Sequence, residues 1–516
     1  MHRIDTRKCI SCGLCVKNCP ISAITLRGKK KPPHIEEELC VDCNVCKRVC
    51  PSDAVTMIPL DRKKEVVCDH CVINCRVNLG KTGACQRYVN LKGELIRRRP
   101  ILIPNPIDYK EMRRTLALSR PLLTGVGAGT LYPNPNPAPY IVGDKVEGLD
   151  VVTAVTEAPL TFSGIKVKID TDTFIGEETA KIKRNGHLIG HVTTEEYGSV
   201  MLSIGGSNLM TSPHGFETAR TIVEIANRRP VELIVEKGTK IRIQVGKPPS
   251  IDGVVAQKMR PTCGGGVGGI SPLFKGIVDE VIIPDANVTG LMSNHPGGKE
   301  AGFPPSGIYP VGTPSTPGRY FGEKGNGWGG TKIRHPKDAV ARIDMAIAKA
   351  GAKLLVLEPS CERMALFEVT SGGDLREISL TSEVRKAVRF LKEGCEDSIV
   401  SAMYVGGIGG GVRWSVTRYP IRLNRALAEG RVRLTAGGAP THLLPGGGIT
   451  FFVDVSQMPS ESFSWVPTPA TVVPLEFTME RSTFAKMKGY VELVKPYGKL
   501  IRKIRTEAMR RRKRVG

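Results

Sequence analysis

The hydrophobic pattern beyond residue 151 predicts short strands mixed with a few helices. Residues 164–170 alternate apolar and polar side chains, and residues 180–192 predict a hairpin that turns at Asn185-Gly186. The same patterns predict helices at residues 213–228, 336–350 and 382–392, and strands at residues 231–235, 241–245, 353–357 and 402–405. Thr381 is the predicted N-cap of the last helix. Because strands and helices follow no regular alternation, we expect a large mixed α+β C-terminal domain.

The start of the chain carries an internal duplication of cysteines. The spacing C-x2-C-x2-C-x3-C-P occurs twice at a constant offset, at Cys9, Cys12, Cys15 and Cys19 and at Cys40, Cys43, Cys46 and Cys50. This register is typical of two-cluster ferredoxins, in which the fourth cysteine of each set ligates the other cluster. Structural zinc sites more often pair two C-x2-C motifs across a longer loop. We therefore predict two [4Fe–4S] clusters, one on Cys9, Cys12, Cys15 and Cys50 and one on Cys19, Cys40, Cys43 and Cys46.

A third group of cysteines follows at once. Cys68, Cys71, Cys75 and Cys85 are spaced C-x2-C-x3-C-x9-C. Four thiolates so close together predict a third iron–sulfur cluster that would extend the electron path, and a structural zinc ion is the alternative. Three further cysteines are isolated and are predicted to be free thiols: Cys263, Cys361 and Cys395.

Composition narrows the class of protein. The chain has 516 residues, of which 41% are hydrophobic and 57 are glycine, so we expect several folded domains with many tight turns. No run of about 18 apolar residues predicts a membrane span. No signal peptide is recognised, and twelve of the 15 cysteines stand in metal-type groupings, so we expect a cytoplasmic protein.

The formal net charge of +24 is concentrated in part at the end of the chain. Residues 499–516 contain nine Lys or Arg and one acidic residue, Glu507, which gives +8. A solvated tail is the first interpretation, and docking of an acidic partner such as a ferredoxin is the second. Nucleic-acid binding is not expected, because no recognition motif or aromatic stacking surface accompanies the basic run.

These observations predict five regions. They are a two-cluster ferredoxin-type domain at residues 1–60, a third cysteine-rich metal or cluster module at 61–100, a proline-rich linker or strap at 101–150, an α+β catalytic or substrate domain at 151–495, and a basic tail at 496–516.

Three glycine-rich loops of the large domain are candidate cofactor-binding sites. They contain Gly264 and Gly266, Gly409, and Gly447. Glycine lets a planar ring or a phosphate approach bare backbone, whereas each loop alone is as readily a plain turn. The first loop matches GxGxxG, but no buried strand precedes it, which argues against a dinucleotide-binding fold.

Three polar side chains in nearby segments are candidate catalytic residues. His295 is a candidate proton donor, because histidine titrates near neutral pH. Arg319 is a candidate clamp for a substrate carboxylate, and Lys299 lies in the same loop as His295. A surface histidine and a structural ion pair are the alternatives.

The order of several segments along the chain carries a family resemblance. After the ferredoxin repeat and Cys68-Asp69-His70-Cys71, these segments are residues 278–283, 288–291, 315–321, 327–331, 437–440, 445–450 and 466–470. Together they resemble the 6-hydroxynicotinate reductase family of iron–sulfur proteins. The resemblance implies ferredoxin-linked reduction of an N-heteroaromatic ring, such as 6-hydroxynicotinate, to its 1,4,5,6-tetrahydro-6-oxo form. It also allows a flavin, for which the sequence carries no recognisable motif.

The reaction that the resemblance implies needs an electron donor, a substrate, proton donors and groups that hold the substrate, and the candidate residues are hypotheses for the last two. A ferredoxin or another low-potential donor would supply electrons, and a small heterocycle would accept them. His295, Lys299 and Arg319 would then deliver protons and hold the carboxylate and the ring oxygen of the substrate. The alternative from another class is an electron-transfer subunit whose large domain binds a partner protein and performs no chemistry.

Overall fold

The computed structural model describes the chain except residues 29–30, 59–64, 69, 71–72, 99–136, 147, 161, 170, 172, 195–199, 257–270, 286–287, 296–297, 300–301, 313–326, 394–396, 445–448, 460, 467–469 and 500–516. Its contacts group the chain into two units. Unit 1 comprises Met1–Gly164, Gly205–Asn227 and Met403–Gly516, and unit 2 comprises Ile165–Ile204 and Arg228–Ala402. The range 151–495 is thus divided between both units, and the boundaries predicted above stay predictions.

The described helices are short and few compared with the strands. They are Leu14–Asn18, Val45–Arg48, Ser207–Met210, Gly215–Ala226, Ser382–Glu393, Gly410–Val416, Pro420–Ala428 and Arg481–Lys486. The predicted N-cap is confirmed, because the Oγ1 atom of Thr381 accepts a hydrogen bond of 3.3 Å from the backbone N–H of Val384. The mixed α+β class expected from the sequence is also confirmed.

Unit 1 is built around two long antiparallel strands, Leu149–Leu160 and Ala470–Glu480. Both are rich in valine, and every residue from Val151 to Leu160 is buried. Their sheet runs in the order Ala439–Pro440, Val432–Ala436, Ala470–Glu480, Leu149–Leu160, Tyr140–Val146 and Lys495–Pro496, with Ser464–Val466 also paired to Ala470–Glu480. Helices Gly215–Ala226 and Arg481–Lys486 pack against this central pair.

The other strands of unit 1 lie in smaller groups of paired strands. They are His2–Ile4 with Val55–Met57, Ile24–Thr25 with His34–Ile35, Val66–Val67 with Arg76–Val77, Tyr88–Leu91 with Glu94–Arg97, and Ser401–Ile408 with Ile449–Asp454 and His442–Leu444. The first two pairs connect the halves of the cysteine repeat.

Unit 2 contains two larger sheets and one strand pair. The first sheet has the order Val254–Val255, Ser250–Ile251, Thr239–Ile243, Val231–Val235, Lys181–Arg184, His187–Thr194, Val200–Gly205 and Gly164–Lys168. The second has the order Val288–Gly290, Glu280–Pro284, Lys353–Leu357, Met364–Val369 and Leu375–Ile378. Helix Ser382–Glu393 covers the second sheet through Val384, Val388 and Leu391.

The sequence predicted the hairpin correctly and one helix wrongly. Asn185 and Gly186 have φ angles of 49° and 81°, as a tight two-residue hairpin turn requires. The predicted helix at 336–350 is instead a 3-10 turn, Pro336–Ala339, followed by strand Val340–Ile343. That strand pairs with Ile308–Pro310, which is too far away in sequence for a local pattern to reveal. Among the helices of the described ranges, none has the length and apolar character needed to cross a membrane.

Candidate functional site

The two halves of the cysteine repeat have the same local conformation. Helix Leu14–Asn18 follows Gly13 at φ 72°, and helix Val45–Arg48 follows Asn44, the equivalent residue of the second half, at φ 64°. The left-handed residue turns the chain inside each C-x2-C-x2-C loop, so that three cysteines curl around one small space. Glycine and asparagine are the residues that adopt this conformation most readily.

The structure brings four cysteines to each of two cavities. The first cavity is lined by Cys9, Cys12, Cys15 and Cys50, and the second by Cys19, Cys40, Cys43 and Cys46. Each cavity has a volume of about 320 Å³, including space open to solvent. The fourth cysteine of each set therefore faces the first three cysteines of the other set, which is the arrangement that two cubane clusters need.

Backbone donors and burial set the chemistry of these thiols. The N–H groups of Ala23 and Ala54, which occupy equivalent positions in the repeat, donate to the Sγ atoms of Cys19 and Cys50 at 3.2 Å each. Burial raises the pKa of Cys15 to about 11 and that of Cys43 to about 12. Such thiols lose their protons only to a bound cation, so the donor set fits iron–sulfur binding.

His2 is a neighbour of the second cavity that sequence reasoning did not select. Its Nδ1 atom lies 4.0 Å from the Sγ atom of Cys40, and its Nε2 atom lies 2.7 Å from the Oδ1 atom of Asn44. Desolvation by burial lowers the pKa of His2, which favours a neutral imidazole. His2, Cys40 and Asp42 lie close enough to hold an ion, but Cys40 already belongs to the cysteine cavity.

A third cavity lies at the next cysteine group. Cys68, Cys75 and Cys85 line it together with His70 and Tyr88, and its volume is about 440 Å³ including space open to solvent. The N–H of Ala84 donates to the Sγ atom of Cys75 at 3.4 Å. Cys71 lies outside the described residues. The three described thiols therefore converge on one space, as the spacing predicted, with a backbone donor to sulfur of the kind found at the first two cavities.

Buried charges that sequence reasoning missed adjoin the third cavity. The carboxylate of Glu157, which also lines the cavity, contacts Arg87 at 3.1 Å and Arg97 at 2.7 Å, as charge contacts rather than aligned hydrogen bonds. Burial raises the pKa of nearby Glu476 to about 8, so this carboxyl is mostly protonated at neutral pH. Two cations then face one anion, and the excess positive charge suits an anionic thiolate centre.

The second and third cavities are contiguous within unit 1. Val41 packs with Cys68 and Cys75 in one buried cluster, and Cys43 lies against the same cluster. The backbone N–H of Arg76 also donates to the carbonyl of Val41 at 3.2 Å. A cysteine of the second cavity therefore touches the wall of the third, which is the contact that an electron path requires.

The candidate catalytic residues of unit 2 have different environments. His295 is 8% exposed, whereas Lys299 is exposed on the same loop, and Arg319 lies outside the described residues. The backbone N–H of Lys299 donates to the carbonyl of His295 at 3.0 Å. Desolvation lowers the pKa of His295. The structure thus joins two of the three residues on one loop, and their catalytic roles stay predictions.

A buried carboxylate holds the His295 loop in place. The Oε2 atom of Glu280 accepts hydrogen bonds from Ser293 at 2.8 Å, from Asn294 at 2.9 Å and from Ser306 at 2.9 Å. Desolvation is the largest influence on Glu280 and raises its pKa. The sequence signal was a glutamate at the start of an otherwise apolar strand, and a buried glutamate seldom occurs without buried partners.

Of the four candidate cofactor-binding glycines, the structure describes one, Gly409. Gly409 is half-buried between strand Ser401–Ile408 and helix Gly410–Val416, and its role as a cofactor-binding residue stays a prediction. Gly406 lies inside the strand, where a Cβ would come within 2.7 Å of the Phe451 ring, so packing explains that glycine. The other three candidates, Gly264, Gly266 and Gly447, lie outside the described residues.

The segment around Trp328 and the His295 loop contact different ends of strand Glu280–Pro284. A Cβ on Gly329 would collide with the carbonyl of Pro284, at the carboxyl end of strand Glu280–Pro284. The His295 loop is held by Glu280, at the opposite end of the same strand. The two segments, which are close in sequence, are therefore anchored at opposite ends of this strand.

Comparison with known proteins finds one match at the cysteine repeat and one over nearly the whole chain. Residues 2–57 match the family described as 4Fe-4S dicluster domain. The chain is 44% identical over 498 residues to a 6-hydroxynicotinate reductase of Eubacterium barkeri. The aligned residues cover 96% of this chain and 99% of that protein. No solved structure matches the chain. The similarity therefore includes both units and is not confined to the cysteine repeat.

Proposed function

The chain belongs to the 6-hydroxynicotinate reductase family, and on that premise we propose that it reduces a pyridone-like ring, with 6-hydroxynicotinate as the substrate and a ferredoxin as the electron donor. It is an iron–sulfur oxidoreductase, as the dicluster domain and the reductase relative together indicate. The observation that carries the substrate proposal is the 44% identity across nearly the full length of both proteins.

The reaction would add two electrons and two protons to the ring. It would convert 6-hydroxynicotinate to the 1,4,5,6-tetrahydro-6-oxo product by saturating one carbon–carbon bond. Loss of aromatic stabilisation demands a strong reductant, and low-potential iron–sulfur clusters supply single electrons of that kind. The protein must then deliver the protons and hold the charged substrate.

The proposed ligand assignment follows the cavities. One cluster would be held by Cys9, Cys12, Cys15 and Cys50, and the other by Cys19, Cys40, Cys43 and Cys46. We further propose a third iron–sulfur cluster on Cys68, Cys71, Cys75 and Cys85, supported by the convergence of three thiols and the adjacent buried cations. Contact of Cys43 with this group favours iron over zinc, because a redox-active centre there would continue the electron path.

The proposed catalytic part is the α+β region 151–495, with His295 as proton donor. Lys299 and Arg319 would hold the carboxylate and the ring oxygen. Because burial lowers the pKa of His295, its protonated fraction falls early as pH rises. A donor role therefore predicts turnover that declines with rising pH, and this dependence should disappear in His295→Ala.

The test is a single-turnover experiment under anaerobic conditions. The reduced protein is mixed with 6-hydroxynicotinate, and reoxidation is followed by the return of iron–sulfur absorbance, with nicotinate as the control compound lacking the ring oxygen. We expect reoxidation and the two-electron product with 6-hydroxynicotinate. His295→Ala should slow turnover by about 100-fold or more if it removes a general acid, while reduction by ferredoxin stays unchanged.

One outcome would contradict the proposed substrate, and another would contradict the proposed third cluster. Reoxidation by a partner protein but by no heterocycle would establish the electron-transfer subunit instead. Analysis of the same preparation for iron, sulfide, zinc and flavin tests the cofactors: about twelve irons fit three cubane clusters, about ten fit a third [2Fe–2S] centre, and about eight with zinc reject the third cluster.

A further inference from the structure

We propose that a small, acidic, one-electron carrier protein docks on the exposed side of the first cysteine loop. We call this the entry surface and define it as Arg7, Lys8, Ile10, Cys12, Leu14 and Lys17. The inference deepens the proposed function, since it assigns the place where electrons enter the reductase. It concerns electron entry alone and can be tested without the heterocycle.

The first observation is an exposure difference between equivalent positions of the repeat. Ile10 is 65% exposed, whereas Val41, its equivalent in the second half, is 1% exposed. Leu14 is 39% exposed, whereas Val45 is 1% exposed. Cys12 is likewise an exposed cysteine. Large apolar side chains beside a redox cavity therefore face solvent in the first half only, as a docking site needs and a core does not.

The second observation is that the second half is closed by the rest of unit 1. The side-chain amide of Asn78 donates to the carbonyl of Glu38 at 2.9 Å, and Arg76 donates to Val41 as described above. Val41 also lies in the cluster that contains Cys68 and Cys75. An external protein therefore reaches the first cavity more directly than the second, and the second adjoins the third.

The third observation is charge. Residues 3–18 contain four Lys or Arg and one Asp, a balance of +3, whereas the equivalent residues 34–49 contain two Lys or Arg and four acidic residues, a balance of −2. Arg7, Lys8 and Lys17 are exposed, and none forms an ion pair with a residue that the structure describes. An apolar centre with an exposed cationic rim is complementary to an acidic protein.

The electron balance of each encounter is simple. One electron passes from the reduced carrier to the chain, the carrier leaves oxidised, and no covalent bond forms or breaks. Two encounters supply the two electrons that one ring reduction consumes. Small wet interfaces are typical of such transient electron-transfer pairs, so the entry surface needs no large buried area.

The experiment measures electron entry by stopped flow in the full-length, cluster-loaded protein. A prereduced acidic ferredoxin with a single cluster is the probe, and no heterocycle is present. The test variant is R7E/K8E, and the matched control is K47E/R48E, which changes two exposed cations in the second half of the repeat. Photoreduced deazaflavin, a small neutral reductant, reports cluster competence in both variants.

We expect R7E/K8E to lower the bimolecular rate constant at least about tenfold at low ionic strength, and to weaken its decrease with salt. K47E/R48E should stay close to the parent, and deazaflavin should reduce both variants normally. Ile10→Ala should slow entry without changing the charge. An unchanged rate in R7E/K8E, or equal losses in both double variants, would overturn the entry surface.

The proposed function can fail separately. A protein that accepts electrons at the entry surface yet reduces no heterocycle would retain this inference and lose the substrate. Suppose instead that the protein reduces the heterocycle with deazaflavin, but that R7E/K8E does not change the rate at which ferredoxin reduces it. The proposed substrate would then stand and this inference would fail.

Discussion

The two halves of the cysteine repeat share a sequence pattern but have different surroundings. Both place four thiols around a cavity of similar size, and both use a left-handed residue to turn the loop. Around the first half, Ile10 and Leu14 face solvent, whereas around the second half Val41 and Val45 are enclosed. A duplicated motif thus repeats its chemistry without repeating its accessibility.

The difference shows how a symmetric module acquires a direction. The cover on the second half is the cysteine-rich segment that contains Cys68, Cys75 and Val77, and this segment rests on the central sheet through Ala470 and Val472. The first half keeps an open face with exposed cations. Asymmetric packing therefore distinguishes an outer position from an inner one between two otherwise equivalent cavities.

The largest expected effect comes from removing a thiol on each side of the comparison. Cys43→Ala and Cys12→Ala should each remove about four irons, one cubane cluster, and abolish ferredoxin-driven turnover. Only Cys43→Ala also opens a gap against the buried cluster around Val41, so it should lower the melting temperature more. Iron analysis and thermal unfolding under argon measure both effects, and equal melting temperatures would contradict the inner-versus-outer distinction.

A substitution of apolar side chains sharpens the comparison without touching a thiol. Val41→Asp would bury an unpaired carboxylate and should cost about 3 kcal/mol or more of unfolding free energy. Ile10→Asp, at the equivalent exposed position, should cost no more than about 0.5 kcal/mol. Denaturant unfolding of the cluster-loaded proteins measures both. Similar losses would mean that the first half is covered in solution.

The smallest expected effect concerns pH and the inner side alone. Burial raises the pKa of Glu476 from 4.5 to about 8. Between those pH values the folded chain keeps a proton on Glu476 that the unfolded chain has lost. The contribution of Glu476 to the free energy of unfolding is therefore greatest below about pH 4.5 and falls as the pH rises towards about 8. Glu476→Gln should remove that decline and raise the melting temperature by a few degrees at the upper end.

Exposed Glu37→Gln is the matched control for that experiment and should leave the pH dependence of the melting temperature unchanged. The contradicting result is the same pH dependence of the melting temperature in the parent protein and in Glu476→Gln. It would show that the carboxyl of Glu476 is ionised in the fold.

The sequence predicted the elements whose causes are local. Asn185-Gly186 specifies its own turn, and Thr381 caps its own helix through the N–H of Val384. It failed at 340–343, because the partner strand Ile308–Pro310 outweighs a helical local pattern. It also missed the Glu157 ion pairs and the Glu280 network, since each unites residues from separate segments.

The sequence by itself determined the chemistry of the cysteine repeat. Each cysteine loop depends on short-range features, namely the spacing of the cysteines and the left-handed turn within the loop. Both halves of the repeat therefore form the same loop. Only the tertiary structure decided which loop faces solvent and which adjoins Cys68 and Cys75. Burial depends on packing between distant segments, and two motifs of equal spacing cannot encode that difference by themselves.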